Sequence, residues 1–257
     1  MLFAGYARQR QGSGAVIKLI ASNAVKEALV RLVPAFERAS RHEVEVVWGG
    51  TLDISRRIAD GEVVDIVILA AERIEALIAQ GRLAAGSRID IARSGIGVAV
   101  RSGARKPDIS SAAALEASLR AARTIVLSSG PSSVHMMELF RRMGIAEAIN
   151  IHQIGPGLPV AAALSGRMIS SEKSATFRDH APARHEGDIG FTQVSELLSH
   201  EGIDFVGPLP GEVQHITVWS AGLHVSAPAR DAAGALLDFL TTPEAAGVFH
   251  DCGMEAG

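Results

Sequence analysis

The stretch Gly187-Asp188-Ile189-Gly190-Phe191-Thr192-Gln193, followed after a short helical segment by Ile203-Asp204-Phe205-Val206-Gly207-Pro208-Leu209-Pro210-Gly211, decides how this chain is read. Each apolar run is brief and closed by glycine or proline, which suits buried strands of a parallel sheet that end in sharp turns. The first run finishes on Thr192 and Gln193, two hydrogen-bonding side chains where a strand meets a helix start. In open α/β sheets that edge faces the ligand crevice, so both residues are candidate ligand contacts.

The same arrangement recurs upstream. Residues 16–20 form a β-branched run that leads into Ala21-Ser22-Asn23-Ala24. Ser22 or Asn23 is placed to cap the next helix, which carries Val25, Leu29, Leu32, Val33 and Phe36 on one face and which Pro34 should kink or shorten. Capping alone accounts for the two polar residues, but the free amides of a helix start also suit an anion. A second strand over 44–48 ends at Gly49-Gly50-Thr51 before a helix over 52–59, without the spaced glycines of a dinucleotide fingerprint. The apolar run 64–70 reads as a central strand, and a helix over 72–80 stops at Gly81. Strand and helix thus alternate as in a doubly wound sheet.

The pattern then changes and restarts. Two extended stretches, 88–93 and 95–100, precede a turn-rich connector over 101–111, and a crossing into a second lobe is expected near 98–102. An alanine-rich helix over 112–122 and a strand over 124–127 lead to Ser128-Ser129-Gly130-Pro131-Ser132-Ser133, which opens a helix running to 142. A strand over 149–154 closes on Gly155-Pro156-Gly157-Leu158-Pro159, and a helix begins at Val160. Residues 166–185 read as an irregular surface insertion. The extended run 213–225 returns the chain to the first lobe, which ends in helices over 232–240 and from Thr242-Pro243-Glu244 onward. The expected α/β organisation is two-lobed: 15–97 with 208–257 as a discontinuous first lobe and 98–207 as the inserted second, each a mostly parallel sheet flanked by helices. Two crossings beside one cleft make a hinge.

Bulk properties narrow the function. A chain of 257 residues with 47% hydrophobic and 21% charged residues buries a sizeable core, and its net charge of -3 with mixed signs gives no basic face for nucleic acid. Cys252 is the single cysteine, which excludes an internal disulfide and a cysteine-rich zinc site. No apolar run is long enough to span a membrane. Residues 1–14 lack the basic-then-apolar pattern of a secretory signal and read as a leader to a domain that starts near Ala15. The expected location is therefore cytoplasmic as the sequence stands, or periplasmic if a native signal has been removed.

Residues about 16–254 resemble the type 2 periplasmic-binding-protein fold, nearest to the molybdate-binding proteins of ABC transporters and their uncharacterised relatives. The features that carry the resemblance are the opening strand with Ala21-Ser22-Asn23, Pro34-Ala35-Phe36-Glu37, Asp65-Ile66-Val67-Ile68, Gly155-Pro156-Gly157, and the Gly190-Phe191-Thr192-Gln193 to Gly207-Pro208-Leu209-Pro210 block. The resemblance implies a monomeric binder of a small oxyanion, molybdate or tungstate-like, without cofactor or metal, partnered by an ABC permease. Such a ligand is held by serine hydroxyls and helix-start amides with no balancing cation. The matching positions are Ser22 or Asn23, Gly50 or Thr51, Ser128 or Ser129, Val160, and the Thr192-Gln193 corner. The chain departs from the group in carrying Gly-Gly-Thr in place of a serine-bearing turn, in having Tyr6 as its only tyrosine, and in the 166–185 insertion.

These departures bring a small organic anion into view, with Arg56, Arg93 and His135 as candidate cations. The same fold is also used by an isomerase that interconverts cis- and trans-aconitate, and for such chemistry the sequence offers His135, Glu138 and Ser129 as catalytic candidates. A passive binder predicts a cleft of hydroxyls and amides with no carboxyl or imidazole of shifted pKa. An isomerase predicts several cations and one carboxylate or histidine in that cleft. A small-anion-sensing module predicts an exposed apolar patch for a partner.

Overall fold

The computed structural model describes residues 14–155, 159–165 and 188–257. The predicted leader, the centre of the 155–159 turn and the predicted 166–185 insertion lie wholly or mostly outside them.

The first lobe opens as β1 (Val16–Ser22), α1 (Lys26–Ser40), β2 (Glu43–Gly49), α2 (Thr51–Ala59), β3 (Ile66–Ala70) and α3 (Ala71–Ala79). Strand β4 (Ile89–Arg101) leads to the second lobe, α4 (Ala112–Ala121), β5 (Thr124–Leu127), α5 (Pro131–Arg142), β6 (Ile151–Gln153), α6 (Val160–Ser165), β7 (Asp188–Gln193), α7 (Val194–Leu197) and β8 (Ile203–Pro208). The return is β9 (Ile216–Leu223), α8 (Arg230–Leu240), α9 (Pro243–Asp251) and the short β10 (Glu255–Ala256). The sheet path is β2-β1-β3-β9-β4-β7-β5-β6, with β8 and β10 paired to β4 off that path.

Each lobe contributes a parallel trio, β2-β1-β3 and β7-β5-β6, whereas every pairing of β4, β8, β9 and β10 is antiparallel. The whole is therefore a mixed sheet. The predicted break at Ser94-Gly95 is absent. β4 is one continuous strand that pairs with β9 from Ile89 to Gly95 and with β7 from Ile96 onward. Gln214 explains how the strand changes partner without losing hydrogen bonds. Its Oε1 accepts from the Ile96 N–H at 2.8 Å and its Nε2 donates to the Ile96 carbonyl at 3.0 Å. A Cβ on Gly95 would lie 3.0 Å from that amide nitrogen, so the adjacent position is kept bare for it.

Alternation along the strands sends side chains to two faces. In the first lobe Ile17, Leu19, Ile66 and Ile68 pack with Leu29, Leu32 and Phe36 of α1 and Leu236 of α8. Ile20, Val67 and Leu69 pack on the other face with Ile54 and Ile58 of α2 and Ile74 of α3. Pro34 does not end α1, which runs six residues further to Ser40 because its apolar stripe is anchored on both sides of the proline. The second lobe repeats the plan, with Ile125 and Leu127 facing α4 and α5 and Val126 facing Val160 and Leu164 of α6. Gly190 lets α6 approach β7: a Cβ there would lie 2.6 Å from Val160 Cγ1 and 2.5 Å from Leu164 Cδ1.

Asp65, 1% exposed, ties the first lobe together by accepting from Lys18 N–H at 2.8 Å and Ala229 N–H at 2.7 Å. Asp65→Ala strands two amides, and unfolding in urea should become easier by about 2–4 kcal/mol at unchanged slope. Gln214→Ala should cost about 1–3 kcal/mol in the same measurement, since Ile96 loses a partner on its N–H. A loss below about 0.5 kcal/mol for either variant would contradict the role assigned to it.

Candidate functional site

Strand register brings the predicted polar turns to one place. Ser22 pairs in level with Gly49, so the ends of β1 and β2 lie side by side and the segments that follow them start together. Leu127 is level with both Phe191 and Gln153, which sets the Ser128 turn beside the end of β7. Ile96 is level with Gln193, and Ser94 with Thr217, so the crossing strand holds the two groups of turns against one another.

Between them lies an open cleft, lined by Ser22, Asn23 and Ala24, by Gly49, Gly50 and Thr51, by residues 128–132, and by Gln193, Glu196 and Trp219. Ser22 caps the 3-10 turn Asn23–Val25, accepting from Ala24 N–H at 3.4 Å. Gly50 stands at the N-cap of α2 in an extended conformation, and Thr51 is its first helical residue. Gly130 caps α5, whose first residue is Pro131. Ser128 Oγ accepts from Gly130 N–H at 3.3 Å and lies 3.2 Å from Ser132 Oγ. The starts of two helices, α2 and α5, therefore converge on the cleft, and their unpaired amides present partial positive charge.

Two hydrogen bonds join the lobes beside the cleft. Gln193 Nε2 donates to Thr217 Oγ1 at 3.1 Å, and Ser195 Oγ donates to the Ala24 carbonyl at 2.8 Å. Gln193 Oε1 and the Trp219 indole N–H, both buried, have no partner among the described residues.

Glu196 is the ionisable residue among those lining the cleft. Burial pushes its carboxyl pKa up, while hydrogen bonds from the Thr192 hydroxyl, at 2.7 Å, and the Gln193 backbone draw it back down; the net direction is upward.

Of the residues predicted from sequence, Ser22, Asn23, Gly50, Thr51, Ser128, Ser129 and Gln193 share this cleft. Val160 and Thr192 do not line it. The Val160 side chain is packed into the second-lobe core, and the Thr192 hydroxyl is engaged by Glu196. The alternative trio of His135, Glu138 and Ser129 does not assemble. His135 Nε2 lies 3.0 Å from the Val213 carbonyl and its ring stacks on His215 at 4.9 Å. Glu138 pairs with Arg141 at 3.2 Å on the exposed side of α5. Helical geometry is the reason: His135 and Glu138 stand four and seven residues beyond Pro131, about 6 Å and about 10 Å further along the axis, so they lie down the helix from its mouth. His215 titrates below the ordinary histidine range because partial desolvation and the facing His135 both disfavour its charged form, with Glu72 opposing. Arg56 pairs with Asp53 at 3.1 Å, Arg93 is exposed on β4, and neither lines the cleft. Among the described residues no group of His, Cys, Asp or Glu is arranged to hold a metal ion, and no helix is long and apolar enough to cross a membrane.

Glu196 and Trp219 were missed by sequence reasoning. Glu196 stands three residues after the N-cap Gln193, the spacing of a capping box, which gave a usable signal for its backbone bond but none for the cleft. Trp219 sits inside an extended run, and only the pairing of β9 with β3 and β4 fixes which way it faces.

Comparison with known proteins agrees with this geometry. Residues 17–255 match the family described as bacterial extracellular solute-binding protein. An aconitate isomerase from Pseudomonas sp. is 29% identical over 246 residues, covering 93% of this chain and 87% of that protein. The periplasmic molybdate-binding protein of Azotobacter vinelandii superposes with a TM-score of 0.68 at 17% identity, covering 94% of this chain and 99% of its own. A sulfate-binding protein of Mycobacterium tuberculosis gives a TM-score of 0.69 at 17% identity, covering 94% and 87%. The chain has the two-lobed type 2 periplasmic-binding-protein fold and belongs to the bacterial extracellular solute-binding protein family.

Proposed function

We propose that the chain is a solute-binding protein that takes a small oxyanion-class ligand between its lobes, molybdate and tungstate being the first probes, and delivers it to an ABC-type permease. The observation that carries this reading is the composition of the cleft wall. Ser22, Thr51, Ser128, Ser129 and Ser132 supply hydroxyls, the starts of α2 and α5 supply amides, and no arginine, lysine or histidine is among the described lining residues. Oriented neutral donors suit an anion that is stripped of water on entry, because they are fixed before it arrives and need no reorganisation.

A second reading is favoured by Glu196 together with the aconitate isomerase relative. Interconversion of aconitates moves a carbon–carbon double bond: a proton leaves the methylene carbon and another is returned to the far alkene carbon. One carboxyl whose pKa is raised by burial serves both steps in turn, with the serine hydroxyls and helix-start amides holding the substrate carboxylates.

Thermal unfolding with molybdate, tungstate, sulfate, citrate and both aconitates separates these readings. A ligand that binds the native state at about 100 times its Kd adds about 2.7 kcal/mol, a rise of roughly 5–10 °C for a chain of this length. A rise with molybdate or tungstate supports the oxyanion binder, and a rise confined to the aconitates moves the assignment to the second reading. Catalysis is then read by NMR in heavy water, as deuterium entering the aconitate methylene carbon; tight binding without exchange would exclude the isomerase. With whichever anion binds, Ser22→Ala and Ser128→Ala should each weaken affinity roughly 10- to 100-fold, the loss of one hydrogen bond to a charged group. Unchanged affinity in both variants would place the ligand elsewhere.

A further inference from the structure

Resting on the anion-cleft reading, we propose that Glu196 carries a proton in the ligand complex and donates it as a hydrogen bond to the bound anion. The carboxyl would thus act as one more neutral donor in a wall otherwise made of hydroxyls and amides.

The argument begins with charge. Every other described lining residue is neutral, so an ionised Glu196 would stand beside the anion with only hydroxyls and helix-start amides to offset the repulsion. Among the described residues its neighbours supply no cation. Helix α7 packs against the turn at Asn23–Val25 and against β4, β7, β8 and α6. The charged groups on or next to those elements are Lys26, Glu27, Asp90, Arg93, Arg101, Asp188 and Asp204, with His200 and Glu201 just beyond α7 itself. Asp90 is held by Arg88 and Ser220, and Asp204 by Ser102 and the Gly103 amide. No ion pair to Glu196 is found among the described residues; the side chain is half-buried, and its carboxylate accepts from the Thr192 hydroxyl and the Gln193 amide.

The second observation is independent of Glu196. The Trp219 indole N–H, 1% exposed, has no hydrogen-bond partner among the described residues, although its residue lines the same cleft. A buried donor left unpaired in a cleft wall is matched by an acceptor that arrives with the ligand. Trp219 thus offers the ligand a donor, while Gln193 Oε1 is an acceptor without a partner among the described residues; the hydroxyls and helix-start amides of the wall can all donate, and an ionised carboxylate would be its only charged acceptor. Burial raises the Glu196 pKa, the direction that favours the protonated form.

A capping role explains the bond from the Gln193 amide, but it predicts no proton on the carboxyl. The two roles separate in Glu196→Gln, which keeps an acceptor for the cap and places a neutral donor in the cleft. Molybdate, sulfate and trans-aconitate are titrated calorimetrically into both proteins between about pH 6 and about pH 9. In the wild type, affinity should be flat at low pH and fall toward tenfold per pH unit above the carboxyl pKa of the unliganded protein. In Glu196→Gln it should stay within about threefold of the low-pH wild-type value throughout. A wild-type affinity that does not change across the range, or a Glu196→Gln protein that binds more than about tenfold tighter at low pH, would overturn the proposal.

Infrared difference spectra of the two proteins supply a readout that needs no ligand. As the pH is raised, the wild type should keep the C=O band of a protonated carboxyl beyond the ordinary glutamate range, and the variant should lack it. A band lost within that range both with and without the three anions overturns the proposal. If none of the three anions binds either protein, the anion-cleft reading fails on its own account, and the infrared band alone decides the state of Glu196.

Discussion

The arrangement depends on one side chain standing in for backbone. Strand β4 serves both lobes, and at Ile96 it leaves β9 and takes up β7. A main chain that changes partner inside a sheet normally loses hydrogen bonds at the junction. Here the Gln214 amide meets both the N–H and the carbonyl of Ile96. The junction is also where the cleft is made, since Gln193 lies level with Ile96 and reaches back to Thr217 on β9. The seam that allows two lobes thus also sets the distance between the turns at their facing ends.

Above that seam the chemistry is uniform. Five hydroxyl-bearing residues and two helix starts surround a space that contains one ionisable side chain. Such a wall binds negative charge through many small, fixed dipoles rather than through a salt bridge, which avoids the desolvation of a buried cation. Glu196 is the exception, and both functional readings turn on its protonation.

The fold was largely legible because the strands are short apolar runs with polar turns at one end. Repetition of that unit at Ser22, Gly50, Ser128 and Gln193 pointed to one cleft, and register places all four there. What could not be read depends on direction rather than composition. The stretches on either side of Gly95 looked like two strands, because the partner that bridges them, Gln214, lies more than a hundred residues away. His135 and Glu138 were close in sequence to a helix mouth, yet they stand one and two turns down the helix from it, where one meets Val213 and the other solvent. Thr192 and Gln193 looked equivalent, but Gln193 lines the cleft while the Thr192 hydroxyl is taken up by Glu196, itself a lining residue.

The cationless wall has a kinetic consequence. Long-range fields that speed the capture of charged molecules come from net charge and from clusters of one sign, and this chain has a net charge of -3 with no basic side chain among the described residues of its cleft. The dipoles of helix starts and hydroxyls fade within a turn or so of the surface. An incoming anion therefore meets no guidance until it is nearly in contact, and arrival is governed by diffusion and geometry. Discrimination among anions of similar size then resides in how long each one stays.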